Sequence, residues 1–103
     1  MNIKNPWENA KALYPVGAQA QGTVKKKFPF GVFLELSGAP DVIAFLDIAS
    51  YNPAGEPPPA PLPDPGARVT GTIAAHNERD KQLRIRVGPP VHQIMDKRAN
   101  DHT

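Results

Sequence analysis

The chain has no cysteine among its 103 residues. Neither a disulfide framework nor a thiolate metal site can therefore stabilise it, and such usage fits a reducing, cytoplasmic setting. Aromatic residues are also scarce, at one Trp, two Tyr and four Phe, so the position of each carries information. No apolar run approaches the roughly 20 residues needed to span a bilayer. The opening residues Met1 to Trp7 lack the apolar stretch of a secretory signal, so no membrane partner is expected. Charge of neither sign dominates. Twelve Lys and Arg stand against ten Asp and Glu, a formal net charge of +2. That mild excess permits a polyanionic partner without requiring one.

The patterns of catalysis are missing as well. His76, His92 and His102 show no metal-ligand spacing with each other or with carboxylates. No serine, histidine and acid arrangement stands out, and no glycine-rich phosphate loop is present. No acid cluster offers itself to the metal ions of a nuclease. The sequence thus predicts a binding protein rather than an enzyme, with no cofactor and no metal.

Proline, by contrast, is abundant, with 13 residues. Seven of them, from Pro53 to Pro65, crowd one stretch ahead of Gly66. Proline lacks the amide donor of a ladder, so residues 52–66 are expected to form an extended, mobile loop rather than a strand. Two Pro-x-x-Pro spacings within it offer a second reading, docking to an aromatic groove of another protein. Around this tract the chain reads as short strands. Ala18, Ala20, Gly22 and Val24 alternate with polar residues, and period two marks a strand with one buried face. After Gly31, the residues Val32, Leu34 and Leu36 point one way and Phe33 and Glu35 the other. Val42 to Leu46 is nearly all apolar. A fourth strand runs from Arg68 to about His76 with Val69, Gly71, Ile73 and Ala75 inward. A fifth, Gln82 to Val87, turns Leu83, Ile85 and Val87 inward and Arg84 and Arg86 outward. The polar loop from Asn77 to Lys81 is short enough for a hairpin.

Before the first strand, Asn5, Pro6 and Glu8 have the order of a capped helix start, and Trp7, Ala10 and Tyr14 would share one face. Pro15 ends that helix. After Gly88, the spacing of Val91, Ile94, Met95 and Arg98 suits a helical turn or two. The expected organisation is a helical extension at 1–16, one barrel domain at 17–88 and a tail at 89–103. Five short strands with a long connection after the third predict an all-β, five-stranded antiparallel Greek-key barrel, the oligonucleotide-binding (OB) fold. A β-sandwich would usually need more strands. Glycines within strands one and four fit sharply bent barrel strands.

Several segments are specific enough to compare with a family. Tyr14-Pro15-Val16-Gly17, Gly22-Thr23-Val24 and Phe30-Gly31-Val32-Phe33-Leu34-Glu35-Leu36 resemble the start of the RNA-binding repeat of bacterial ribosomal protein S-one. Ala44 to Tyr51 resembles its next element, and Gly66 through Val69, Ile73 and Asn77 to Ile85 its two closing strands. The resemblance covers about residues 14–87. It implies an OB barrel that holds single-stranded RNA on one face, in a translation or messenger-RNA setting, with the ribosome or a ribonucleoprotein as a further partner. That face uses two aromatics, a histidine, an aspartate and an arginine. By position, the aromatics fall on Phe30 and Phe33. The histidine position holds Asp47, the aspartate position Asn77 and the arginine position Gln82, with Lys81 and Arg84 beside it. A core isoleucine is replaced by Lys27, and Phe28 is expected to take its place in the core.

The residues themselves support a nucleic-acid interface. Alternation puts Phe33 on the outer face, where with Phe30 it would form a base-stacking platform; the other reading is an aromatic covered by a loop or helix. Gly31 either lets bases approach closely or permits a bend. The run Lys25-Lys26-Lys27 is either a solvated strand end or a basic lead into the platform, in which case Arg84 and Arg86 would extend the positive surface that holds phosphates. Asp47 either caps a short turn from Ile48 to Tyr51 or faces the platform. The candidate set is therefore Phe30, Phe33, Lys25, Lys26, Asp47, Asn77, Lys81, Arg84 and Arg86, in a monomer. A protein-binding module of the same fold is the alternative.

Overall fold

The structure, a computed structural model, describes residues 5–55 and 60–89. One helix, α1 (Pro6–Leu13), precedes five strands: β1 (Gln19–Phe28), β2 (Gly31–Leu36), β3 (Ala39–Tyr51), β4 (Arg68–Asn77) and β5 (Gln82–Val87). The strands close into a barrel in the order β1-β2-β3-β5-β4. Four seams are antiparallel and the β3–β5 seam is parallel. The parallel seam is forced by parity. Directions cannot alternate all the way round a ring with an odd number of strands, so one pair of neighbours must agree. Closure also removes every free edge from the sheet.

The interior is filled by the period-two residues of each strand. Ala20, Val24, Val32, Leu34, Leu36, Ala44, Leu46, Val69, Ile73, Leu83 and Ile85 are all buried. Gly22 and Gly71 sit where strands cross closely: a Cβ would meet the Leu36 side chain at 2.8 Å in one case and the Arg86 carbonyl oxygen at 2.7 Å in the other.

Two β-bulges interrupt this alternation. The β1–β2 register passes from Val24↔Leu34 to Lys26↔Phe33, leaving Lys25 as the extra residue. The β4–β5 register passes from Ile73↔Ile85 to Ala75↔Arg84, leaving Ala74 as the extra residue. Each bulge inverts the facing of the residues beyond it. Ala75, expected inward, is therefore exposed, and His76 takes the inward-facing place opposite Leu83. Phe28, expected in the core, turns outward opposite Gly31.

The third strand is longer than the apolar run Val42–Leu46, and no helical turn follows it. Ile48 to Tyr51 continue as strand past a register shift between Leu46 and Tyr51. The side chain of Asp47 accepts a hydrogen bond from the Ala49 amide at 2.7 Å at this irregularity, so its cap-like bond serves a bent strand.

Helix α1 closes one end of the barrel. Asn5 caps it by accepting from the Glu8 amide at 2.7 Å, and Trp7 and Ala10 join the barrel core. The helix is latched to the β4–β5 hairpin by one carboxylate. Glu78 accepts from Trp7 Nε1 and from Lys11 Nζ, both at 2.8 Å. Lys11 also lies 5.4 Å from the Trp7 ring centroid, and the Trp7 ring meets His76 edge-on. His76 Nε2 is 2.7 Å from the carbonyl oxygen of Tyr14, which places it in a packed role.

The proline-rich connection is anchored over its second half. Residues 56–59 and the tail from 90 onward, with its anticipated helical turn, lie outside the described residues. Leu62 packs against the core, and the Gly66 amide donates to the Val24 carbonyl at 2.8 Å. Lys27 pairs with Asp64 at 2.9 Å. Residues 60–66 thus lie against the barrel, unlike the freely extended linker the proline content predicts.

The hydrogen bonds from Lys11 and Trp7 hold the Glu78 carboxyl below the ordinary glutamate value of 4.5. A carboxyl with a lowered folded pKa stabilises fully above its unfolded value, and that contribution is lost as pH falls through the folded one. Melting temperature should therefore drop between pH 6 and pH 3, with a red shift of Trp7 fluorescence. In Glu78→Gln the melting temperature should start lower at pH 7 and respond less to acid. Equal pH responses in the two proteins would refute the latch.

Candidate nucleic-acid interface

Strand pairing assembles the site. Cross-strand partners face the same side of a sheet, so the registers Lys26↔Phe33, Phe33↔Phe45, Phe45↔Arg84 and Arg84↔Ala75 define one outward row across the barrel. The next row carries Phe28, Gly31 and Asp47. The bulge at Lys25 is what puts Lys26 and Phe28 into these rows.

All four phenylalanines of the chain meet here. Phe28 stacks on Phe30 with ring centroids 5.1 Å apart and planes only 10° from parallel. Phe28 meets Phe33 edge-on at 5.1 Å, and Phe33 meets Phe45 edge-on at 5.5 Å. Such geometries match the preference of aromatic quadrupoles for offset or T-shaped contact. Phe45 lies beneath the cluster at 8% exposure, whereas Phe30 stands on top at 55%. Phe33 is half-buried, in contact with the rings of Phe28 and Phe45. Neither Phe28 nor Phe45 is legible as a site residue from sequence: the first is hidden by the bulge, the second by the unbroken apolar character of β3.

Gly31 answers to packing. A Cβ there would lie 2.7 Å from the Phe45 ring and 2.5 Å from the Leu46 carbonyl oxygen. The Phe45 ring therefore covers the bare backbone of Gly31, and the close approach is made by a side chain of the protein itself.

The charged residues divide into two groups. Arg84 places its guanidinium 5.0 Å from the Phe45 ring centroid, a cation–π contact that holds it in the row. Its Nε is buried and has no hydrogen-bond partner, while its Nη2 lies 3.8 Å from Asp80. Lys26 makes no ion pair among the described residues. Lys25, at the bulge, is 3.7 Å from Glu35. Arg86 lies outward on β5 and donates from Nε to the Gly88 carbonyl at 3.0 Å. Asp47 falls in the Gly31 row, so it both bonds the Ala49 amide and borders the platform.

Asn77 and Lys81 are engaged in the hairpin. Asn77 Oδ1 accepts from the Asp80 amide at 3.0 Å, which fastens the turn. Lys81 adopts φ +53° and points its ammonium to within 3.9 Å of Glu78, the carboxylate that latches α1. The structure brings Lys26, Phe28, Phe30, Phe33, Phe45 and Arg84 together, with Asp47 beside them.

The barrel is of the OB type, and comparison with known proteins agrees. The intact alpha subunit of aIF2 from Pyrococcus abyssi superimposes with a TM-score of 0.60 at 20% identity, over 85% of this chain and 34% of that one. A chain of the a/eIF2alpha-aDim2p-rRNA complex from Pyrococcus horikoshii OT3 gives 0.61 at 22%, over 86% of this chain and 54% of that one. At these identities the likeness is one of fold. No protein-family model matches the chain. In sequence it is 39% identical over 54 residues to small ribosomal subunit protein bS1 of Rhodopseudomonas palustris and 35% identical over 54 residues to that of Rhizobium meliloti. Each match takes in 52% of this chain and 10% of the ribosomal protein. A similar stretch occurs in 4-hydroxy-3-methylbut-2-enyl diphosphate reductase of Fusobacterium nucleatum, at 35% identity over 54 residues. The resemblance to the S-one protein is thus borne out over 54 residues, and the chain spans about a tenth of the length of the bS1 proteins it matches.

Replacing Gly31 by Ala should force Phe45 off the backbone. Overpacking of this kind costs about 1–3 kcal/mol. Urea denaturation should register that loss, and near-ultraviolet circular dichroism should register the disturbed rings. An unchanged unfolding midpoint would show that Phe45 does not rest on Gly31.

Proposed function

We propose that the protein is a non-catalytic module that binds single-stranded RNA on the outer face of β1, β2, β3 and β5. The observation that carries this reading is the ring cluster topped by the exposed Phe30 and flanked by Lys26 and Arg84 in a single row. Aromatic faces accept bases of any sequence, and adjacent cations accept phosphates. The likeness to bS1, and to a chain solved in a complex with rRNA, supports a place in translation or messenger-RNA handling, with a ribosome or ribonucleoprotein as the wider partner. A cytoplasmic monomer is the state in which this face stays open; among the described residues no helix is long and apolar enough to cross a membrane.

The polar frame of the site differs from the pattern of the S-one repeat. Asp47 presents a carboxylate to the platform, Asn77 is spent on the hairpin turn, and Gln82 carries no charge. Arg84, held over Phe45, supplies a cation from the neighbouring outward position of β5. Stacking and phosphate contact should therefore dominate over base reading, giving modest affinity and weak sequence preference.

Stacking on one aromatic contributes roughly 1–3 kcal/mol per base. Replacing Phe30 and Phe33 together by Ala should weaken binding of a short mixed-sequence RNA by at least about tenfold, as followed by fluorescence anisotropy at low salt. Replacing Lys25 and Lys26 should weaken all sequences alike and flatten the log–log salt dependence by up to about 1.4. An RNA that perturbs no amide between residues 25 and 35 would turn the assignment to the same fold acting as a protein-binding module.

A further inference from the structure

A groove of about 610 Å³ opens beside the platform, between the β1–β2 turn and the proline-rich connection. Phe28, Pro29, Ile48, Ala60, Pro61 and Leu62 line it, with Lys27 at the rim. Its volume falls in the range of small-ligand sites, and its walls are mostly apolar, as such sites usually are. From the geometry we infer that this groove is a second nucleobase subsite, taking the base next to the one stacked on Phe30. This inference rests on the RNA-binding reading of the platform.

Three features select that occupant. The groove is continuous with the platform through a shared ring. Phe28 and Phe30 form one parallel stack, of which Phe30 is exposed and Phe28 forms a wall of the groove. A single strand that stacks a base on Phe30 therefore reaches the groove with its neighbouring base. The walls are flat rings and branched carbons, which suit the π-face of a base without reading its edge. The rim carries a cation whose present partner is replaceable. Lys27 Nζ is 2.9 Å from Asp64 Oδ1, but the two side chains are 40% and 83% exposed. Exposed pairs of this kind are weak, so a phosphate between the two bases can take the place of Asp64 at Lys27.

The connection that forms the outer wall also has a reason to stay in position. Leu62 packs against the core, and the Gly66 amide bonds to Val24, so the wall is held at Leu62 itself and again beyond its C-terminal end. Proline at 61 and 63 limits the conformations this wall can adopt before RNA arrives, which lowers the ordering cost of binding.

The test uses the full chain and a ladder of oligouridylates from two to six nucleotides, with affinities measured by anisotropy competition. Wild-type affinity should show a step of at least about fivefold at the nucleotide that fills the groove. Leu62→Ala and Ala60→Glu should each remove this step and leave shorter oligomers bound as before. Ala60 is half-buried and outside the core cluster, so its variant keeps the test valid should Leu62→Ala unfold; thermal melts verify folding. Asp64→Asn should strengthen binding of the longer oligomers by about two- to fivefold. A step that persists in both groove variants overturns the subsite while the platform stands. Binding of no oligomer at all, or binding indifferent to Phe30 and Phe33, overturns the platform reading and the subsite with it.

Discussion

One extra residue in a strand inverts everything after it. The bulge at Lys25 is therefore the constraint on which the site depends. Upstream of it, Val24 faces the core opposite Leu34; downstream, Lys26 and Phe28 face outward opposite Phe33 and Gly31. Without the bulge, Phe28 would be driven into the barrel and Lys26 would point at the core. With it, the ring cluster gains its fourth phenylalanine and a lysine beside the rings. The bulge at Ala74 does the corresponding service at the other end. It turns His76 inward, where it meets Trp7 and the Tyr14 carbonyl, and so prepares the seat of α1.

The face built this way is more hydrophobic and less polar than a base-reading site requires. Its rings are mutually supported, from Phe45 below to Phe30 above. The cation beside them, Arg84, is positioned by the Phe45 ring as well as by Asp80. Rigid aromatic contact of this kind offers contact area at low conformational cost, whereas hydrogen-bonded base recognition needs acceptors and donors fixed in advance. Asn77, which could have been such a group, is committed to the turn that also presents Glu78 to the helix. The hairpin tip thus serves architecture, and the barrel wall carries the rings and cations of the proposed interface.

Much of this is legible in residue order. Period two locates four of the strands and an apolar run the third, proline content locates the long connection, and alternation alone puts Phe33 outside. The helix start is readable because Asn5, Pro6 and Glu8 each have a local role. The features that stay hidden have a common cause. Bulges leave no composition signal, so simple alternation assigns Phe28 and Ala75 to the wrong side of their strands. Phe45 looks like one more core residue, since nothing in Val42 to Leu46 distinguishes inside from outside. Asp47 has the local pattern of a helical cap, yet the chain instead bends within a continuing strand. The hold of residues 60–66 on the barrel rests on Leu62, one backbone bond at Gly66 and the Lys27–Asp64 pair, and none of these stands out in a proline-rich stretch.

The way the ring closes also sets an order of events during synthesis. β1 to β3 can pair as neighbouring hairpins as soon as Tyr51 is made, but both remaining seams of this half wait for β4 and β5. Until β4 and β5 emerge, the inner faces of Val24, Val32, Leu34 and Leu46 have no opposing wall, and Trp7 waits for Glu78. At the roughly 5–20 residues per second of translation, the 36 residues between Tyr51 and Val87 take about 2–7 s. A half-barrel with two open edges must survive that interval. The chain spends much of it producing the proline tract, a stretch that cannot add a strand to either edge.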